Sequence, residues 1–255
     1  MFVMTDGKRE KSWRAGPVRI RVTLPGEPGP SSPKERLTVE RIVDAAMDLM
    51  AEQGYDAVSM RSLAKALDTG PASLYAHVAS KEEVDQLVLD RISAELVVPA
   101  PDPGRWDEQL RQVMRDMLAL YRRHPGSARA AIGMIPSGTG ALRTMEGLLA
   151  ICDAGGISPQ ASAWFCDLAA AYVSAIAVEE AIWVQRANST PPGEEPDHPA
   201  IDEQLRAMME ALPAAEFPLV TSMAAVMTAG DGDDRFEFGI AVLVAGLRAV
   251  SDTYR

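Results

Sequence analysis

Within residues 59–83 the sequence starts three helices. Ser59 stands as an N-cap before Met60, Gly70-Pro71 puts a proline at a first helical position, and Ser80-x-x-Glu83 has the form of a capping box. Such residues serve the free N–H groups at the start of a helix, so each marks a new helix, not the continuation of an old one. Upstream, Thr38 caps a run in which Val39, Ile42, Val43, Ala46, Leu49 and Met50 recur at helical spacing, and Gly54 closes it. Leu63, Ala64 and Leu67 mark the inner face of the helix after Ser59. Asp68-Thr69-Gly70 supplies a turn, and the helix opened by Pro71 is expected to reach about Val78. The helix after Ser80 is expected over 81–96, with Val84, Leu87, Val88 and Ile92 inward. Helices this short gain their stability by packing, which makes residues 37–98 a three-helix corner of helix-turn-helix form with a linking fourth helix.

PAPDPG at 99–104 is the clearest boundary. Beyond it, helices are expected at about 106–123, stopped by His124-Pro125-Gly126, then a short one to about Gly133, then 139–154 and 159–188. A polar loop at 189–199, two shorter helices and a last helix at 233–250 complete the chain. Strand-like alternation is not apparent, and the hydrophobic fraction of 47% can supply a sizeable core. The expected fold is all-α: a disordered basic arm at 1–36 containing GEPGPSSP, a helix-turn-helix domain at 37–98, and a helical body at 99–255. No apolar run long enough for a bilayer and no signal-like h-region stand out, so the expected setting is the cytoplasm, without membrane. Cys152 and Cys166 are too widely spaced for a metal knuckle and read as reduced core thiols.

The net charge of −11 is unevenly spread. Residues 1–36 hold eight Lys and Arg against four Asp and Glu, whereas residues 37–92 hold five against ten. A polyanionic partner would gain little from the overall field of such a chain, so DNA binding would rest on a few placed contacts. The corner offers them. A short third helix can enter the ~12 Å major groove with its N-terminal residues at base edges. Ser59 can offer its hydroxyl and neighbouring N–H groups to phosphate, Arg61 can reach phosphate or a guanine edge, and Tyr75, His77 and Lys81 can donate to flanking phosphates. The same corner also fits a helical small-molecule-binding or interaction protein that never touches DNA. An enzyme fits poorly: three histidines, no H-x-x-x-H, no G-x-S-x-G and no Walker loop leave no assembled nucleophile, metal set or cofactor motif.

The run VERIVDAAMDLMAEQGYDAVSMRSLAKALDTGPASLYAHVASKEEV at 39–84 resembles the TetR family of bacterial transcriptional regulators, in its helix spacing, its Leu-Tyr pair at 74–75, His77 and Ser80-Lys81. FEFGIAVLVAGL at 236–247 and the Gly133…Pro136 corner are similar to the tetracycline-repressor type of C-terminal domain. The resemblance implies a homodimeric, ligand-responsive repressor of a palindromic operator. Gly70, Pro71, Ala72 and Ser73, with Arg61, would lie at the bases, and Tyr75, His77 and Lys81 at phosphates. Asp68 stands where the family's turn often has Gly, and Gly70-Pro71-Ala72 replaces longer polar side chains, so recognition there would be mostly steric.

The resemblance also implies a small-molecule chamber in the body. Tetracycline repressors use His and Asn there to hold a magnesium–drug complex; the positions aligned with those anchors are Val97, Val113 and Ala131. Such side chains cannot coordinate a hard cation. The expected effector is therefore a largely apolar organic molecule, with Val97, Val113, Met117, Met134, Ile135, Leu148 and Cys166 as candidate lining residues. The same Met and Val stripes also make ordinary core. Apolar, Ala- and Gly-rich faces on the helices at 159–188 and 233–250 could pair across a two-fold.

Overall fold

The computed structural model describes residues 2–5, 8–15, 18–21, 36–135, 137–188 and 198–254, in two compact units, Met1–Leu37 and Thr38–Arg255. In the first, β1 (Phe2–Thr5), β2 (Lys8–Ala15) and β3 (Val18–Arg21) form an antiparallel meander, with Phe2 opposite Lys11 and Trp13 opposite Ile20. The sequence reading foresaw a disordered arm here and no strand. The signals it passed over are short: the alternation Val18-Arg19-Ile20-Arg21, and Asp6-Gly7, a pair that favours two-residue hairpin connections.

The second unit is helical throughout its described residues. Its elements are α1 (Val39–Gln53), a 3-10 turn at Tyr55–Ala57, α2 (Met60–Ala66), α3 (Pro71–Leu74) and α4 (Lys81–Ser93). The body adds α5 (Trp106–Arg123), α6 (Ser127–Ala131), α7 (Thr139–Ala154), α8 (Pro159–Asn188), α9 (His198–Glu210), α10 (Pro218–Met227) and α11 (Gly232–Val250). The local signals do their expected work. Thr38 Oγ1 accepts from the Arg41 N–H at 3.3 Å, and Ser59 and Ser62 form a reciprocal capping box. Ser80 Oγ accepts from the Glu83 N–H at 3.2 Å, while Glu83 reaches one residue further back than a standard box and accepts from the Ala79 N–H. α3 stops at Leu74 rather than Val78, and α4 at Ser93 rather than 96, because loose turns replace the last helical turn of each.

Ile42, Val43 and Ala46 of α1, Leu63 of α2, Leu74 of α3 and Val84, Val88 and Ile92 of α4 are buried together in the head. The body core joins Leu110, Val113, Met114 and Leu118 of α5, Leu148 and Ile151 of α7, Phe165, Ala169 and Val173 of α8, and Phe236, Ile240 and Val244 of α11. Each such large side chain contributes about 1.5–3 kcal/mol by leaving water. Gly239 lets α8 and α11 close, since a Cβ there would stand 1.9 Å from the Tyr172 hydroxyl; Tyr172 stacks on Phe236 at 5.8 Å. α4 packs against α1 on one side and against α6 and α7 on the other, so one helix joins the head to the body.

One expectation is corrected. Residues 159–186 of α8 are long and apolar enough, by length and composition, to cross a membrane. Their Ala-rich sequence hides this by spacing Ser, Asp, Gln and Glu through the run. The helix contacts α5, α6, α7 and α11, which accounts for one apolar side; the other side faces out.

Candidate nucleic-acid interface

α2 ends in a Schellman motif. The Thr69 N–H donates to the Ala64 carbonyl at 2.9 Å and the Asp68 N–H to the Lys65 carbonyl at 3.2 Å, with Asp68 between them at φ 46°. Asp is among the few residues that tolerate this left-handed conformation, so it replaces the expected glycine without opening the turn. The turn delivers Gly70 and Pro71 to the start of α3. Leu74 and Val78 then anchor the segment inward, while Gly70, Pro71, Ala72, Ser73, Tyr75 and His77 are all exposed. Tyr75 leaves 55% of its surface in water although it is a large ring beside a core. Arg61 is exposed in the first turn of α2. These seven expected contacts thus come together on α2, α3 and the turn that follows.

Two expected contacts are employed elsewhere. The Ser59 hydroxyl accepts from the Ser62 N–H at 3.1 Å and lies 3.0 Å from the Ser62 hydroxyl, which itself donates to the Ala57 carbonyl at 2.7 Å. Its capacity is taken up by the cap. Lys81 points inward: its Nζ bonds both carboxylate oxygens of buried Asp85, at 2.6 and 2.8 Å, and sits 4.1 Å from the centroid of the Tyr55 ring. Tyr55 donates its hydroxyl to Asp85 at 2.9 Å, and burial, followed by that carboxylate, pushes the phenol up to about 12. Lys81 therefore ties the start of α4 to the turn after α1, with its charge already matched. The clue was a carboxylate on the inward-facing side of α4, four residues after a lysine.

The candidate chamber residues scatter. Val113 and Leu148 are fully within the body core, Met117 and Cys166 are packed against it, and Met134 and Ala131 are half-buried. Val97 and Ile135 are 81% and 80% exposed, so these two lie outside that interior. Sequence reasoning passed over two polar groups there: the Ser174 hydroxyl of α8, which is buried, lies 3.4 Å from the Tyr121 hydroxyl of α5, one turn beyond Met117. Burial pushes the Cys152 thiol up to about 11; burial and the neighbouring Cys152 push Cys166 up to about 12. Both stay protonated at neutral pH, which suits packing and not thiol sensing.

Comparison with known proteins places this geometry in company. The profile for "Bacterial regulatory proteins, tetR family" matches residues 42–84, and that for "Tetracyclin repressor-like, C-terminal domain" matches residues 98–251. An HTH-type transcriptional regulator of Saccharopolyspora erythraea is 30% identical over 224 residues, covering 87% of this chain and 89% of that one. The HTH-type transcriptional repressor DrrR1 of Streptomyces coeruleorubidus is 43% identical over 94 residues; that match spans 36% of this chain and 35% of DrrR1. Among solved structures, ActR from Streptomyces coelicolor in complex with actinorhodin superposes with a TM-score of 0.74 at 35% identity, covering 85% of this chain and 98% of that one. ActR has also been solved without ligand, with a TM-score of 0.73, and in complex with (S)-DNPA, with a TM-score of 0.72.

Proposed function

The chain belongs to the TetR family of bacterial transcriptional regulators, and from that premise we propose that it is a dimeric repressor that holds a palindromic operator and releases it when an organic effector enters the helical body. The observation that carries the DNA-binding half is the exposed run Gly70–Ser73 with Tyr75 and His77, set over buried Leu74 and Val78. Tyr75 and His77 thereby hold a phenol and an imidazole donor in water beside the start of α3, where flanking phosphates can accept from them. Arg61 and Ser73 are the hydrogen-bonding readers, Gly70, Pro71 and Ala72 the steric ones, and Tyr75 and His77 the phosphate contacts. Ser59 and Lys81 hold α2 and α4 in place behind them.

The dimer forms through α8 and α11. Trp164, Leu168, Ala171 and Ala175 of α8, and Phe238, Val242, Ala245 and Ala249 of α11, repeat at the same helical spacing and are exposed. The effector site lies among Val113, Met117, Leu148 and Cys166, with Tyr121 and Ser174 supplying polar contacts. Actinorhodin and (S)-DNPA, the ligands of ActR, are the first compounds to try. Catalysis forms no part of this role, and the protein acts on chromosomal DNA in the cytoplasm. Selection from a random duplex pool tests the reading: enrichment of inverted repeats with half-sites ~34–36 Å apart is expected. Recovery of unrelated sequences after several rounds would overturn it.

A further inference from the structure

α4 carries two anchors on adjacent residues. Arg91 pairs with Asp44 of α1, which ties α4 to the head. Asp90 turns the other way, and its Oδ1 accepts the N–H of Gly140 in the first turn of α7 at 2.5 Å. The N-cap of α7 is Gly138, which offers no side chain, so an open N–H at the start of α7 is served from another helix. That contact spans fifty positions of sequence.

The glycines around this contact are there for space. Gly138 has an ordinary φ of −77°, so its conformation does not demand glycine. A Cβ on Gly138 would stand 2.2 Å from Asp90 Oδ1, and one on Gly140 would stand 2.4 Å from the Asp90 carbonyl oxygen and 2.9 Å from the Ala94 nitrogen. Two turns along the same face, a Cβ on Gly147 would stand 2.6 Å from Val98 Cγ1. α7 thus presents a bare seat on which α4 and its following segment lie backbone to backbone. Ile132 and Ile135, both exposed, lie on the connector that leads into that seat.

We propose that Asp90 is the positioning residue that fixes α4, and with it the reading head, against the body. In the dimer it thereby sets the separation of the two recognition helices. The proposal rests on the dimeric DNA-binding reading above. The ion pairs Lys81–Asp85 and Arg91–Asp44 are internal to the head and would travel with it, whereas Glu95 with His124 and Arg129 with Asp56 brace the same junction through partly exposed groups. Asp90 is the joint.

The test places a nitroxide at Lys65→Cys, exposed on α2, in the full-length protein and measures the distance between protomers by pulsed EPR. A single narrow distance is expected for the parent protein. Asp90→Ala is expected to shift and broaden it and to weaken binding to the palindrome by about tenfold, while binding to an isolated half-site is unchanged. Asp90→Asn, which keeps an oxygen acceptor, is expected to restore both values. Gly140→Ala, which pushes α4 off its seat, is expected to reproduce the Asp90→Ala shift. A distance distribution and palindrome affinity in Asp90→Ala that match the parent protein would overturn the proposal. So would equal losses on palindrome and half-site, which mark a damaged head. Absence of any inter-protomer distance in the parent protein would instead remove the dimeric reading, and the proposal with it.

Discussion

Lys81 shows how a residue type can suggest one role and its geometry another. A lysine at the start of a helix beside a recognition element suggests a phosphate contact, yet its ammonium is matched by Asp85 and lies over Tyr55. The two accounts make different predictions for stability. Lys81→Met is expected to cost about 2–3 kcal/mol, because it strands a buried carboxylate, whereas Asp85→Asn is expected to cost less, because the lysine can turn to water. Urea denaturation of both variants measures this; an unchanged midpoint in Lys81→Met would favour the phosphate role. The thiols are tested separately. Cys152 has no surface in water, so its alkylation at pH 8 should run at least about a hundredfold slower in the folded protein than in denaturant. The linked effect on stability has a definite sign. Folded thiols keep protons that unfolded thiols release from about 9 upward, so their contribution is whole below that pH and is lost as pH rises through about 11 to 12. Tyr55 adds a loss of the same sign between about 10 and 12.

Helices were the most legible level of this chain. α5, α7 and α8 lie at the boundaries that Pro, Gly and apolar spacing indicate, because caps and breakers act within a few residues of where they stand. What local signals could not reach were contacts between distant elements. Tyr55 and Asp85 are thirty positions apart and Asp90 and Gly140 fifty, and no periodicity marks either pair. The exposure of the residues of α2 and α3 proposed to meet DNA was legible because burial alternates along a short amphipathic segment. The proposed effector site was not, because Met and Val look alike in a pocket and in a core. At this scale the faces of α8 and α11 carry a prediction. Leu168→Asp with Val242→Asp should convert a dimer to a monomer by sedimentation at micromolar concentration with little change in helix content, since both side chains are exposed in the single chain. An unchanged dimer mass would place the two-fold elsewhere.

For the molecule as a whole, function depends on coupling an acidic body to a polyanion through a small exposed surface. The charge of −11 opposes approach to DNA, so affinity must come from placed contacts and from two heads acting together. α4 lies between these heads and the body, seated on α7 and pinned to α1 by neighbouring residues. An effector can loosen DNA only as far as it prefers the arrangement that does not bind, typically ~1–3 kcal/mol of coupling. The measurement that bears most directly on this account is titration of the full-length protein onto its selected palindrome at several salt concentrations, beside Arg61→Ala and Tyr75→Ala. The account predicts saturable binding by the parent protein that weakens with salt. It also predicts at least a tenfold loss in each variant, with relaxed sequence preference in Arg61→Ala and uniform weakening in Tyr75→Ala. Equal affinity of all three proteins for the palindrome would contradict it.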